Sequence, residues 1–421
     1  MNKRFLRTAA LVCALATCAF AAVARAQTTA GDQRLFYLLE ENGQRSLYAT
    51  TLDGTTTSVS MPELGSVLVY DVTESGLAYV AQNADGALTL ALQTETETQS
   101  SPLPSSVPSQ VVLTDDAVYL TVRNPENRAT VLGFDRATLT QQTVRSANQE
   151  TTALTIHESG RWVLAYNPSG AMDVYALPGA GDADFELVDF GFTEPQWSPT
   201  REQLQFVGGT AQNPAERFIY LLDFAAGTNR RFPIPDVGAS INATWSDGGQ
   251  YVIAGGAADR SALLITTVDT GEQVTLSEPG FILTPIGWSS GDEWLLYTAQ
   301  LAGLGADVFA YRPTTGERLA VRSGDAVPFS ARWSPDLQRA VVIGVNPDNT
   351  IGLYRVDAPA FDVWQPILNA NDGGLIQAGL YWVDNSLVLE YNGGLLVAGA
   401  DGLVQITPQT SPVVPGSVRV M

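Results

Sequence analysis

Apolar runs recur along the chain, each closed by a short polar cluster. Trp294 to Ala299 and Ala340 to Val345 are almost wholly apolar, without the alternation of a half-buried strand. Continuous runs of this length fit strands covered on both faces. Ser, Pro, Asp and Gly fill the gaps, residues that suit turns because Pro presets φ and Gly tolerates φ > 0. No long amphipathic helical pattern interrupts the series, so the expectation is an all-β chain.

The runs are in register. Trp197, Trp245, Trp288, Trp333 and Trp382 each precede a turn and an apolar strand, at steps of 48, 43, 45 and 49 residues. Three of the turns read Trp197-Ser198-Pro199, Trp245-Ser246-Asp247-Gly248 and Trp333-Ser334-Pro335-Asp336. A weaker copy occupies the N-terminal half, where Val72, Leu113 and Ile156 stand in for tryptophan, spaced 41 and 43 residues apart and 41 from Trp197. Within each period a strand ends at the anchor, a second follows the turn, and a third ends in an acidic or polar turn such as Asp269-Thr270-Gly271-Glu272. A fourth strand closes the unit. Four strands in ~40–45 residues make one blade of a β-propeller.

The W-S-P-D-G turn followed by an apolar strand resembles the propeller repeat of the TolB family, which also recurs in prolyl-oligopeptidase-type peptidases. The match is best from Glu194 to Asn392 and degenerate from Val69 to Ala165. Leu337 departs from the pattern, standing where that family has Gly. The family also carries a small α/β domain ahead of its propeller, and residues 27–34 are too few for one, so its role does not transfer whole.

Eight anchors run from Val72 to Trp382. Three further strands precede them, around Leu35-Phe36-Tyr37-Leu38, Ser46-Leu47-Tyr48-Ala49 and Thr56-Thr57-Ser58-Val59. Two follow, around Leu395-Leu396-Val397 and Leu403-Val404-Gln405-Ile406. Termini that complement one another in a single blade would seal the ring and hide its sheet edges. The expectation is eight blades, with seven as the alternative; nine fits the length but exceeds the usual ~4–8. The chain then divides into a signal peptide (1–26), a short linker (27–33), the propeller (34–407) and an irregular or edge tail (408–421).

The N-terminus changes the picture of where the protein works. Lys3, Arg4 and Arg7 precede an apolar stretch from Ala9 to Ala24, and Ala24-Arg25-Ala26 has the form of a signal-peptidase site. The expectation is export, to the periplasm or outside the cell. Leu15-Ala16-Thr17-Cys18 loosely resembles a lipoprotein box, so a lipid anchor through Cys18 is the competing reading. Both cysteines, Cys13 and Cys18, lie in this segment. A chain starting at Gln27 has no disulfide, no thiolate nucleophile and no cysteine metal site.

Charge narrows the partners. The sequence holds 44 Asp and Glu against 23 Lys and Arg. Without the signal segment 19 basic residues remain, a net charge of −25. Such a surface repels phosphate backbones and anionic headgroups, which argues against nucleic acid. No later run has the ~20 apolar residues of a membrane span. A monomer that binds a protein or peptide is the expected form.

Candidate chemistry is sparse. His157 is the sole histidine, and it stands one place after Ile156, where other repeats carry Ser198, Ser246, Ser289 and Ser334. That position favours a turn residue over a general base, and no G-x-S-x-G elbow accompanies it. Zinc would need His, Cys or carboxylate ligands in a tetrahedral set. Calcium needs only oxygens; Asp115-Asp116, Asp182 with Asp184, and Asn371-Asp372 are the local candidates, none with EF-hand spacing. The expectation is no catalytic residue, no cofactor and no metal. The alternative is a carboxylate-based hydrolase or lyase on the propeller rim. The repeating tryptophans, with Trp162 and Trp294, read as core. Trp364, in the stretch from Ala358 to Gln377, is the one aromatic candidate for a partner contact. The combined reading is an exported, non-catalytic scaffold for a protein or ligand.

Overall fold

In a computed structural model the described residues are 33–421, except 105, 125–127, 147–152, 167–171, 179–184, 187–189, 192, 211–215, 235–242, 256–260, 302–305, 322–325, 358–362, 371–374, 376–378, 384, 400–401 and 409–410. The signal segment with Cys13 and Cys18, Asp182 with Asp184, and Asn371-Asp372 lie outside them.

The described strands form nine antiparallel sheets. Blade 1 combines Leu35–Glu41, Gln44–Thr50 and Thr56–Ser58 with the C-terminal strand Arg419–Val420. Blades 2 to 9 follow at 66–103, 110–146, 153–186, 190–233, 243–277, 281–321, 327–370 and 379–405. Blade 5 departs from four simple strands, because its first strand is split into Phe190–Gly191 and Gln196–Trp197. The strongest close approaches between blades all involve a first strand, which packs against the first, second or third strand of the preceding blade.

Burial explains the sequence pattern. Second and third strands are covered on both sides: every residue of Gln203–Gly209 is buried, and all but the last of Ala129–Asp135. Fourth strands face outward and alternate, as in Thr98–Leu103 and Thr228–Pro233. Apolar clusters fill the gaps between blades. Val80 and Leu120 meet between blades 2 and 3, Trp162 and Phe206 between blades 4 and 5. Ile253 and Tyr297 meet between blades 6 and 7. Leu353 and Leu389 do so between blades 8 and 9. Leu35 and Tyr37 pack with Val388 and Leu395, so blade 9 closes on blade 1.

Nine blades correct the expected eight and the alternative seven. Each of the eight anchors begins a complete blade of its own. The strands Gly394–Gly399 and Gly402–Gln405 finish blade 9 rather than pairing with the N-terminus. The N-terminal strands therefore need a different partner. The last residues supply it: Leu35 pairs with Val420 and Phe36 with Arg419. The segment expected as a tail belongs to the ring, with Val413 and Val418 buried in the seam. Joining the two chain ends in one sheet covers an edge that would otherwise invite pairing with other chains.

Candidate functional site

The turns that gave the repeat its signature are small closed loops. In five of them the backbone N–H after the anchor donates to the carbonyl five residues on: His157 to Trp162, Ser198 to Gln203, Ser246 to Tyr251, Ser289 to Trp294 and Ser334 to Arg339, at 2.8–2.9 Å. The serine hydroxyls of Ser246, Ser289 and Ser334 accept the return N–H, at 2.8–3.0 Å. All five side chains are buried, so the repeated serine is a turn-forming group.

His157 takes that place in blade 4. Its ring is buried against Trp197, edge to face, with centroids 5.0 Å apart. Nδ1 accepts the Ser159 N–H at 3.1 Å, and Nε2 lies 3.1 Å from the Arg201 carbonyl oxygen. A carbonyl only accepts, so Nε2 carries the proton. Both ring nitrogens are committed to neutral imidazole, and burial holds its pKa below the ordinary histidine value.

Neighbouring loops are tied by polar contacts. Arg161 and Trp162 of blade 4 both donate to Glu202 of blade 5, at 3.1 and 3.0 Å. Thr200 of blade 5 donates to the Gly248 carbonyl of blade 6 at 2.9 Å. Asp292 of blade 7 accepts the Ser246 hydroxyl at 2.5 Å and the N–H groups of Gly248 and Gln250 at 2.7 and 2.9 Å. Tryptophan N–H groups bridge inner strands: Trp197 donates to Thr155 and Trp245 to the Gln196 carbonyl. The ion pair of Arg332 in blade 8 with Asp247 in blade 6, at 3.3 Å, reaches past blade 7. Burial raises the Asp247 pKa; Arg332 opposes this and Asp292 adds to it.

The seam has its own carboxylate. Glu390 is buried and accepts the Gly416 N–H and the Tyr381 hydroxyl, both at 3.0 Å. Burial raises its pKa, against the two hydrogen bonds and Arg419.

Between blades 8 and 9 the motif end is different. Val383 pairs directly with Ser386, so blade 9 has a two-residue turn in place of the longer loop. No hydrogen bond or ion pair joins the blade 8 loop to blade 9 among the described residues. The Trp382 N–H, whose counterparts in blades 5 and 6 tie to the preceding blade, has no acceptor among the described residues. A depression of about 340 Å³ opens at this corner, lined by Gln338, Arg339, Arg355 and Asp357. Arg355 Nε lies 3.2 Å from Asp357 Oδ2, and its Nη2 donates to Gln365 Oε1 at 2.6 Å.

Trp364 opens the strand Trp364–Ala370 rather than sitting in an irregular stretch. It is half-buried and packs toward blade 7, in the cluster of Trp294 and Trp333, with Tyr354 5.3 Å away. It lies on the opposite side of blade 8 from Arg339, Arg355 and Asp357. Asp115 is almost fully exposed beside Arg136, at 3.8 Å. Among the described residues no three His, Cys, Asp or Glu side chains gather as a metal site, and no helix is long and apolar enough to cross a membrane. Sequence reasoning did not single out Arg339 or Arg355. The available signal was Arg339 itself, at the place where other repeats carry Trp162, Tyr251 and Trp294.

No protein-family model matches the chain. No curated protein matches it by sequence either. Solved structures do. A structure described as the eukaryotic initiation factor aligns over 93% of this chain and 98% of its own, with TM-score 0.57 and 9% identity. At that identity the likeness shows the fold alone. The putative TolB from Agrobacterium tumefaciens aligns over 55% of this chain and 84% of its own, with TM-score 0.34 and 16% identity. Dihydro-heme d1 dehydrogenase NirN in complex with DHE aligns over 82% and 75%, with TM-score 0.45 and 14% identity.

Proposed function

We propose that the protein is an exported, non-catalytic propeller that binds a protein or peptide partner. The observation that carries this reading is the fate of His157. The sole histidine, the side chain best suited to acid–base work at neutral pH, is buried with Nδ1 tied to Ser159 in its own loop and Nε2 to the Arg201 carbonyl of the next blade. Asp292 and Glu390 are spent in the same way. The polar groups inside the ring stiffen a scaffold, which leaves recognition to its surface and loops. Export rests on the Lys3 to Ala26 pattern and the TolB-like reading on the tryptophan turns; these favour a partner in the envelope or outside the cell.

The test is affinity capture with residues 27–421 against envelope and secreted fractions, read by mass spectrometry. One protein retained through moderate salt supports the scaffold. No retained protein, together with turnover of a sugar or peptide substrate by the same preparation, overturns it.

A further inference from the structure

The ring is closed by a segment that does not belong to the repeat. Arg419 and Val420 pair with Phe36 and Leu35, and Val413 bridges Leu39. Between these points the chain leaves the ladder, and the Leu38 N–H turns to the Ser417 hydroxyl at 3.1 Å. Pro412 and Pro415 have no N–H to give. The first strand of blade 2, by contrast, pairs with its neighbour from Ser66 to Thr73. The sheets of blades 2 to 9 are complete without the segment, and only blade 1 takes its innermost strand from it.

Glu390 meets the stretch that leaves the ladder. It lies two places after Val388, on the side of its strand that faces blade 1. One carboxyl oxygen accepts the Gly416 N–H and the other the Tyr381 hydroxyl, both at 3.0 Å. The titratable and charged groups around it are Tyr381 from the first strand of blade 9, Tyr70 from the first strand of blade 2, and Arg419 from the closing strand. The Tyr70 hydroxyl meets the carbonyls of Phe36 and Ser417. Burial holds both phenols protonated, with pKa values above that of ordinary tyrosine. Arg419 directs its guanidinium to the carbonyls of Gly416 and Val418, at 3.3 and 2.9 Å, and makes no ion pair with Glu390 among the described residues.

With a proton, the Glu390 carboxyl fits this place. Its O–H donates to the Tyr381 hydroxyl oxygen, its other oxygen keeps the Gly416 N–H, and no charge is buried. Ionised, the same side chain is a 7% exposed anion with two donors and no ion pair among the described residues, the costly case for a buried charge. Burial accordingly raises its pKa, while the two hydrogen bonds and Arg419 oppose the rise. Lifting Gly416 and its neighbours away returns water to the carboxylate.

We propose that Glu390 is a proton-operated catch on the C-terminal segment. With its proton it holds residues 411–421 in the seam; on ionisation it lets them come away from blade 1 while blades 2 to 9 stay folded. The released form uncovers the inner edge of Leu35–Glu41. It gains population as pH rises from the ordinary glutamate value to the folded-state value of Glu390, and no further beyond. This device is independent of what the ring binds.

The test is hydrogen exchange of the protein between pH 4 and pH 8, read by mass spectrometry as protection relative to the unfolded chain at each pH. The peptide of residues 411–421 reports the seam through the bonded N–H groups of Val413, Val414 and Met421. Gln203–Gly209, buried in blade 5, reports the ring. The segment is expected to be less protected than Gln203–Gly209 throughout, and to lose protection as pH rises until Glu390 is ionised. In Glu390→Gln, a neutral side chain of the same shape, its protection is flat. Arg419→Gln removes the cation that favours the ionised form, so the loss continues to a higher pH than in wild type. Protection of the segment equal to that of Gln203–Gly209, a flat wild-type profile, a loss that persists in Glu390→Gln, or an Arg419→Gln loss that ends no higher than in wild type overturns the proposal.

Discussion

The gap between blades 6 and 7 and the gap between blades 8 and 9 have similar interiors and different ends. Each is filled by an apolar cluster with Leu, Ile and aromatic side chains. At the motif end of the first, Asp292 gathers three donors from the blade 6 loop. At the same end of the second there is a two-residue turn, a depression and a guanidinium with no hydrogen-bond partner among the described residues. The apolar filling sets the spacing of the blades in both. The polar closure is a separate layer, present at the first gap and not found among the described residues of the second.

The largest effect is expected at the closed joint. Asp292→Ala leaves the Gly248 and Gln250 N–H groups and the Ser246 hydroxyl without their acceptor. Hydrogen bonds to a charged group contribute ~1.5–3 kcal/mol each and do not add fully, so the loss should be about 3 kcal/mol in urea unfolding. Asp292→Asn keeps one oxygen and should lose less. Asp292 also has φ +59°, a conformation Asn tolerates well and Ala does not. A change below about 1 kcal/mol for the alanine variant would mean that the apolar cluster alone holds the joint.

The second effect separates joints by pH. His157 is held neutral by burial, so its folded pKa lies below the ordinary histidine value. Its contribution is present above that ordinary value and is lost as pH falls through the folded pKa. His157→Ser, which installs the residue other repeats use, should cost ~1–2 kcal/mol at pH 7.5 through lost hydrogen bonds and should lessen the fall in Tm toward pH 5. Glu390 runs the other way. Its folded pKa is raised by burial, so its contribution is complete below the ordinary glutamate value and is lost as pH rises through the folded one. Glu390→Gln should remove that opposing slope, making the Tm of the variant fall more steeply than wild type between pH 7 and pH 5. Parallel Tm profiles for wild type and both variants would show that neither group titrates differently on folding.

A smaller effect of opposite sign is expected at the open joint. Blade 6 has Tyr251 where blade 8 has Arg339, and Tyr251 stacks on Trp288 with centroids 5.2 Å apart and planes 1° from parallel. Arg339→Tyr replaces a half-buried guanidinium that has no hydrogen-bond partner among the described residues, and covers part of the depression. Thermal unfolding should be unchanged or up to ~1 kcal/mol more favourable to the folded state. A clear destabilisation would show that the attraction between Arg339 and the nearby Asp336 outweighs the gain from stacking.

The repeat was legible because it is written in large residues. Trp197, Trp245, Trp288, Trp333 and Trp382 mark their blades, and His157 was placed correctly among the turn serines because the anchors were in register. The blade count was not legible, since the closing strand is only Arg419–Val420. Two residues in a Pro-rich tail give no periodic signal, and their role depends on Leu35–Glu41 having an unpaired edge. The depression was invisible for a related reason. Its lining depends on which side of a strand Arg339 and Arg355 share. Trp364 stood out because the stretch from Ala358 to Gln377 reads as irregular, yet it opens a strand and its ring packs toward blade 7.

The finest test concerns the residue where the repeat departs from glycine. Three places after the turn residue, Gly160, Gly249, Asp292 and Leu337 all have positive φ, of +66°, +70°, +59° and +58°. Glycine adopts this conformation freely, aspartate is compensated at Asp292 by its hydrogen bonds, and leucine is strained by ~1–2 kcal/mol. Leu337 is half-buried against the cluster of Trp294 and Trp333, and losing that contact costs part of the ~1.5–3 kcal/mol of a fully buried leucine. The two terms nearly cancel, so Leu337→Gly should shift stability by no more than ~0.5 kcal/mol. Leu337→Ala keeps most of the strain and loses most of the packing, so it should be the less stable of the two by ~1 kcal/mol. Equal stabilities would mean that backbone strain plays no part at this turn, and that leucine is there for its contact with the cluster alone.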